Sequence, residues 1–383
     1  MNLYPSVGGS GYLATRLGQE LAHRNHIIHF ITYQRPFSLM WEQTTGVYVD
    51  LVDRFDYPLF KATGPPYTMA LTSKIIKVAN DSKLDLVHSH YAIPHAMAAY
   101  MAREIAGIPY VVTLHGSDVH SLGQDPAYKP VVKHTIEQAD AVTAVSEFLR
   151  KKAHEELGIE REIHVIPNFI DTTRFSHIEG VRLFVESGCV GLRKEDEAVE
   201  LYPEEKILLH ASNFREVKRV VELVEIMRIV VDHYPEARLI IAGDGPTRIE
   251  VERKIEALDL CNNVHLLGVK SNMQEIMCSA DMFLLNSTLE GMPLVLLEAM
   301  SCSLPVITTP AGGIPELVRP GKDGMVTKGF EQEEYAQAII ELLENEEKMK
   351  ELGRAGRKRV EESFSAERIV SMYEKVFEDA LSK

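Results

Sequence analysis

The sequence predicts an α/β protein of two domains, each a parallel sheet flanked by helices. Two observations carry that expectation. Short apolar runs alternate with amphipathic segments along the chain, the pattern that builds parallel sheets through crossover helices. The alternation breaks once, across a polar and acidic stretch at residues 176–205, and then resumes. A chain of 383 residues is long for one core and natural for two. The expected division is a first domain over 1–175, a second over 176–363 and a last segment, 364–383, returning to the first.

In the first domain, Ile27 to Thr32, Leu84 to His88, Tyr110 to Leu114, Ala141 to Val145 and Ile163 to Ile166 read as buried strands. Tyr12 to Asn25, Ile93 to Ala106, Val131 to Gln138 and Ser146 to Leu157 carry helical spacing between them. A strand should precede the glycine turn near the start, yet only seven residues precede Gly8, so the first strand reads as truncated and a true start upstream is expected. The stretch 176–205, with Lys194-Glu195-Asp196-Glu197, reads as a linker plus an irregular or helical insertion. The second series has strands at Ile207 to Ala211, Leu239 to Ala242, Val264 to Leu267, Met282 to Leu285 and Val306 to Thr308. Helices are expected at 217–234, 247–259, 294–302 and 332–345, and the amphipathic end from Phe364 predicts one more.

Composition narrows the function. A net charge of −15 disfavours nucleic acid and anionic lipid as partners. No apolar run approaches the ~20 residues that span a bilayer, and Met1 to Pro5 lacks a signal-peptide pattern, so a cytoplasmic location is expected. Cys189, Cys261, Cys278 and Cys302 are scattered, which argues for reduced thiols rather than a disulfide framework or zinc site. No Asp-x-Asp occurs, so no metal chelated by that pair, and no cofactor, is expected. Oligomeric state is left open, a homo-oligomer included.

Four motifs can carry chemistry. Gly8-Gly9-Ser10-Gly11 opens a helix, where backbone N–H groups and about half a positive charge favour an anion. Gly9 to Ala14 also fits a dinucleotide fingerprint, but the strand ending Phe30-Ile31-Thr32-Tyr33 has no acid for a ribose, which disfavours a nicotinamide enzyme. Thr113-Leu114-His115-Gly116-Ser117-Asp118 ends a strand, the end where open α/β sheets bind ligands. His88, His90 and His95 lie close in sequence but lack the spacing of a helical metal pair. Ser212 to Arg219 puts Arg215 and Lys218 after the first strand of the second domain, placed to neutralise a diphosphate or merely to start a solvated helix. Glu290 to Met300 sets a loop carboxylate, Glu290, and a helix carboxylate, Glu298, about a helix start with Pro293 as first helical residue. Two groups of one extended ligand would suit them, and Glu298 in an apolar helix is costly to bury without one.

These motifs, with Ile166-Pro167-Asn168, Gly243-Asp244-Gly245-Pro246 and Gly312-Gly313-Ile314-Pro315-Glu316, resemble glycosyltransferase family 4 over nearly the whole chain. The resemblance implies the GT-B fold, two Rossmann-like domains facing each other across a cleft, and a retaining transferase. It implies catalytic roles for His115, Arg215, Lys218 and Glu290, with Arg215 standing in for an arginine that many relatives carry at the position of Asn213. It implies donor contacts at Gly9, Ser10, Gly11, Asn168, Ser212, Asn213, Gly243, Met292, Leu294, Val295 and Glu298, the last for the ribose. Tyr4 to Gly11, His88 to His95, Thr113 to Asp118 and Ser212 to Arg215 narrow the resemblance to members that move N-acetylglucosamine from UDP to L-malate. Ser10, Tyr91 and Thr113 are then the expected malate contacts. Another donor or acceptor, a sugar-nucleotide epimerase, or a sugar-nucleotide sensor stay open at this point.

Overall fold

The computed structural model describes residues 9–36, 39, 44–53, 67–178, 180–186, 189–194 and 205–382, with the backbone alone over 182–194. By its contacts the chain divides into two units. One holds residues up to Asn168 together with those from Ala366 onward, and the other runs from Phe169 to Ser365.

The first unit begins with α1 (Gly9–His23), followed by β1 (Ile28–Thr32) and β2 (Val47–Leu51), a parallel pair. Next come α2 (Tyr67–Ser82), β3 (Val87–His90), α3 (Met97–Ala106), β4 (Tyr110–Leu114), α4 (Ser117–His120), α5 (Lys129–Gln138), β5 (Ala141–Ala144), α6 (Glu147–Leu157) and β6 (His164–Val165). The strands β3 to β6 form a parallel sheet in sequential order. Its centre is dry: every residue of β4 and β5 is buried. Three stretches depart from expectation. β2 and α2 were not anticipated. β3 lies nearer the C-terminus than its apolar run, because the Leu84 N–H donates to Ala79 O to close α2 while Val87 sets the pairing with Tyr110. The helix expected from Ile93 starts only at Met97, since Ile93 precedes Pro94 and is extended (φ −130°, ψ 143°). The question of a strand before the glycine turn falls on residues 1–8, outside the described ones.

The second unit starts with an antiparallel hairpin, β7 (Val181–Glu186) and β8 (Cys189–Lys194), where an irregular or helical insertion was expected. The reason is legible in Val181, Leu183 and Val185, which alternate with a period of two and precede Ser187-Gly188, a pair suited to a tight turn. Glu195 to Glu204 lie outside the described residues. The body is β9 (Lys206–Ser212), α7 (Val220–His233), β10 (Ala237–Gly243), α8 (Arg248–Ala257), β11 (Val264–Gly268), α9 (Met273–Cys278), β12 (Met282–Leu285), α10 (Leu294–Ser301), β13 (Val306–Thr308), α11 (Ile314–Leu317), β14 (Met325–Val326), α12 (Gln332–Leu343) and α13 (Glu346–Ser363). All six strands of its sheet are parallel, in the order β11-β10-β9-β12-β13-β14. Numbered within the unit this is 3-2-1-4-5-6, the doubly wound order whose direction of travel reverses between the first and fourth strands. Apolar faces of α7, α8, α12 and α13 close on this sheet through Leu223, Met227, Val251, Ile339 and Leu352.

The chain then crosses back. Ile170 and Ser365 form a parallel bridge and the Ile170 N–H donates to Phe364 O (3.1 Å). The last helix, α14 (Ala366–Leu381), packs on α1, β4 and β5. Glu374 fixes it to Arg24 (2.6 Å) and His26 (3.0 Å).

Candidate active site

The reversal point of the second unit lies between β9 and β12, so the loops following those strands are where a ligand is expected. They carry the sequence motifs. After β9 the chain passes Ser212 and Asn213 into a single 3-10 turn, Glu216–Lys218, capped by Arg219 in the left-handed region (φ 49°), which delays α7 to Val220. Arg215 and Asn213 are exposed there, and Ser212 and Lys218 half-buried. After β12 comes the loop carrying Ser287 and Glu290. The Thr288 N–H donates to Val217 O (2.8 Å), which ties the two loops together. Glu290 is buried, and its Oε1 accepts from Lys218 Nζ (2.6 Å) and from the Ser287 hydroxyl (2.7 Å). Lys218 and Glu290 are therefore brought together, while Arg215 stands without a described partner.

Two glycines make this packing possible. A Cβ on Gly243 (φ +116°) would lie 1.8 Å from the Ser212 carbonyl oxygen, and one on Gly312 (φ +57°) 2.0 Å from that of Glu290. Gly243 thus shapes the Ser212 loop by being small. Beside Gly312, the Gly313 N–H donates to Glu290 O (3.0 Å). His210, on β9, backs the same loop. Its Nδ1–H donates to Leu284 O (2.9 Å) and its Nε2 accepts from the Ser212 hydroxyl (2.8 Å). Burial pushes its pKa down to about 4, so it stays neutral.

Pro293 is the cap of α10 rather than its first residue, with ψ at 118°. Met292 and Leu294 are buried and Val295 half-buried at this helix start, whose first N–H groups lack intrahelical partners. Glu298 follows one turn in. It keeps a sliver of surface, but burial pushes its carboxyl up to about 7, with Arg174 pulling the other way.

In the first unit a second group forms. Gly9, Ser10 and Gly11 occupy the first turn of α1 rather than a loop before it. Ser10 Oγ shares a hydrogen bond with the Tyr91 hydroxyl (2.7 Å), and the Tyr91 ring lies 5.0 Å from that of His115. Asp118 holds these strand ends in register, accepting from the His115 N–H (2.8 Å) and the Ala92 N–H (3.1 Å). Burial pushes its carboxyl up to about 6 against those bonds. Thr113 is placed differently from the expectation that it lines a crevice. Its side chain is fully buried and its hydroxyl is shared with His88 (2.7 Å) and Thr143 (2.7 Å). Asn168 is buried at the last position before the chain leaves this unit.

Sequence reasoning passed over Ser287 and His210, and it quoted Asp118 in a motif without giving it a role. It noted His90 without a role, although His90 and His88 share a face of β3 by the two-residue period of a strand. Among the described residues no group of three or more His, Cys, Asp or Glu side chains is arranged to hold a metal ion, the histidines included. No described helix is long and apolar enough to cross a membrane.

The chain is similar to known proteins in sequence and in fold. The family model for Glycosyltransferase Family 4 matches residues 7–174, and that for Glycosyl transferases group 1 matches 193–359. The chain is 40% identical over 380 residues to N-acetyl-alpha-D-glucosaminyl L-malate synthase of Bacillus anthracis, covering 99% of this chain and 96% of that one. It is 27% identical over 360 residues to alpha-maltose-1-phosphate synthase of Mycolicibacterium smegmatis, covering 86% and 88%. The fold matches sucrose-phosphate synthase from Thermosynechococcus elongatus with a TM-score of 0.80 at 20% identity, over 98% and 94% of the two chains. It matches Anabaena HepE, solved in complex with UDP, with a TM-score of 0.75 at 20% identity, over 97% and 96%. Motifs, strand order and whole-length similarity agree, and the chain belongs to glycosyltransferase family 4, as an enzyme of the GT-B fold.

Proposed function

We propose that the enzyme transfers N-acetylglucosamine from UDP to the hydroxyl of L-malate with retention of the α configuration. The observation that carries this reading is the 40% identity, over 99% of the chain, to a relative named for that product. In the reaction the bond from C1 to the diphosphate oxygen breaks and one from C1 to the malate oxygen forms on the same face. The malate proton passes to the departing phosphate. Lys218, Arg215 and the N-terminus of α10 meet the charge that develops on the diphosphate, so no metal is required of them. Met292, Leu294 and Val295 offer backbone N–H groups to the same phosphates. Glu290 holds sugar hydroxyls and Glu298 the ribose. Asn168, Ser212, Asn213 and Gly243 border the nucleotide.

In the first unit, His115 contacts the transferred sugar near its 6-hydroxyl. Ser10 and Tyr91 take a malate carboxylate at the positive end of α1, with Gly9 and Gly11 allowing close approach. Thr113 acts beneath this group, through His88, and not on malate itself.

Purified protein incubated with UDP-N-acetylglucosamine and L-malate should release UDP only when malate is present, with a product of glycosyl-malate mass and α anomeric signals by NMR. UDP release with a different acceptor alone would overturn the malate assignment. Release without any acceptor would favour an epimerase or hydrolase.

A further inference from the structure

The first unit contains a column of rings of which the reaction as outlined uses directly only the last two, His115 and Tyr91. Phe377 and Tyr373 of α14 lie 5.1 and 5.5 Å from the His88 ring. His88 lies 4.4 Å from His90, His90 5.1 Å from His115 in a stacked pair, and His115 5.0 Å from Tyr91. Within the column one polar contact links imidazole to imidazole, His90 Nδ1 to His115 Nε2 at 2.8 Å. Burial holds both rings neutral, His115 at about 3 and His90 well below its ordinary value. A hydrogen bond between two neutral imidazoles needs a proton on one nitrogen and a lone pair on the other. Whichever form His115 takes at Nε2, its Nδ1 takes the opposite one. The bond therefore couples the two rings, so that the tautomer of His90 sets whether His115 offers a donor or an acceptor at Nδ1.

His90 is itself held. It is buried at the end of β3, and its neighbour Tyr91 donates its N–H to Thr113 O (3.1 Å). His88 presses on its ring, and His88 is held by Thr113 and covered by α14.

We propose that His90 is a positioning residue, which fixes the tautomer and the ring orientation of His115 toward the sugar. This rests on the assignment of His115 made above. Without the bond, the His115 imidazole samples both tautomers and rotates, and the productive fraction falls.

The test uses two variants of the whole enzyme. His90→Phe keeps a ring in the column and removes the nitrogen. His90→Asn restores a polar atom near the place of Nδ1. Turnover should fall roughly 10–100-fold in His90→Phe, the scale expected of a misplaced catalytic group. The KM for malate should stay within about threefold, since orientation and not ground-state binding is lost, and His90→Asn should recover most of the rate. In a His115→Ala background, His90→Phe should cost nothing further. Imidazole 15N spectra of histidine-labelled protein should show His115 in one tautomer, and an average of two in His90→Phe. An equal loss of rate with and without His115, or a His115 signal unmoved by His90→Phe, would overturn the proposal. If His115→Ala alone leaves turnover intact, the assignment of His115 to the sugar fails instead, and the 15N spectra still decide what His90 does.

Discussion

Lys218 and Glu290 form the closest charged contact of the second unit's reversal point, 2.6 Å apart, with Ser287 completing the carboxylate. Replacing Lys218 by Ala removes the charge proposed to meet the leaving diphosphate and leaves the buried Glu290 carboxylate with the Ser287 hydroxyl as its remaining side-chain donor. Turnover should fall roughly 10²–10³-fold, while UDP affinity in calorimetry changes by less than about tenfold. Turnover close to wild type would sink the role given to Lys218. Glu298 makes a different prediction because its folded pKa, about 7, lies above the ordinary carboxylate value. Below about pH 4 both folded and unfolded states are protonated and the residue costs nothing. As pH rises toward 7 the unfolded state ionises first, so stability is lost across that window. Glu298→Gln should therefore raise stability by roughly 1–3 kcal/mol at about pH 8, with no gain near pH 4, and should weaken UDP binding. A gain in Tm that is the same at both pH values would show that burial of the charge is not the cause.

Elements were legible where burial was complete. Met282 to Leu285 is a continuous apolar run and Val306 to Thr308 a β-branched one, and the strands begin and end there. The order β11-β10-β9-β12 was not legible, because parallel strands with helices between them read alike whichever neighbour they take. Helix α13 was missed since Gly353 and Gly356 interrupt a charged segment. Gly353 is there because a Cβ would meet Ser303 O at 2.2 Å, a contact made by folding alone. Of the site, the charged and glycine motifs were visible as text. Their supports were not: His210 and Asp118 also bond Leu284 and Ala92, which lie far off in sequence, and the short-range bond from Ser287 to Glu290 depends on a loop shape the sequence does not spell out. Gly243 shows how an element edge governs the site. Gly243→Ala would force its methyl against the Ser212 carbonyl, 1.8 Å away, at a φ of +116°. Loss of about 1–3 kcal/mol is expected from the strained backbone alone. UDP binding should suffer as well, because the Ser212 to Lys218 loop must move. A variant with wild-type Tm and UDP affinity would show that the loop does not depend on this contact.

At the scale of the molecule, the last helix belongs to the unit where the chain began. Helix α14 covers His88 with Tyr373 and Phe377 and is pinned by Glu374 to Arg24. Ending the chain at Ser365 would expose that ring column and the β4–β5 surface, so the first unit should lose cooperative unfolding by calorimetry. Hydrogen exchange should show faster opening of β4 and β5. Unchanged protection of those strands would mean α14 is dispensable. The amphipathic pattern from Phe364 announced a helix that returns to the first domain, and the pairing of Glu374 with Arg24 shows where on that domain it is held. The two points where the chain leaves and re-enters the first unit are themselves neighbours, at Ile170 and Ser365. In genetic terms the second unit is then a cassette, inserted into the first at a single locus. On the proposed assignment of the donor contacts to that unit, recombination that swaps the cassette changes which activated sugar is spent and leaves the acceptor untouched.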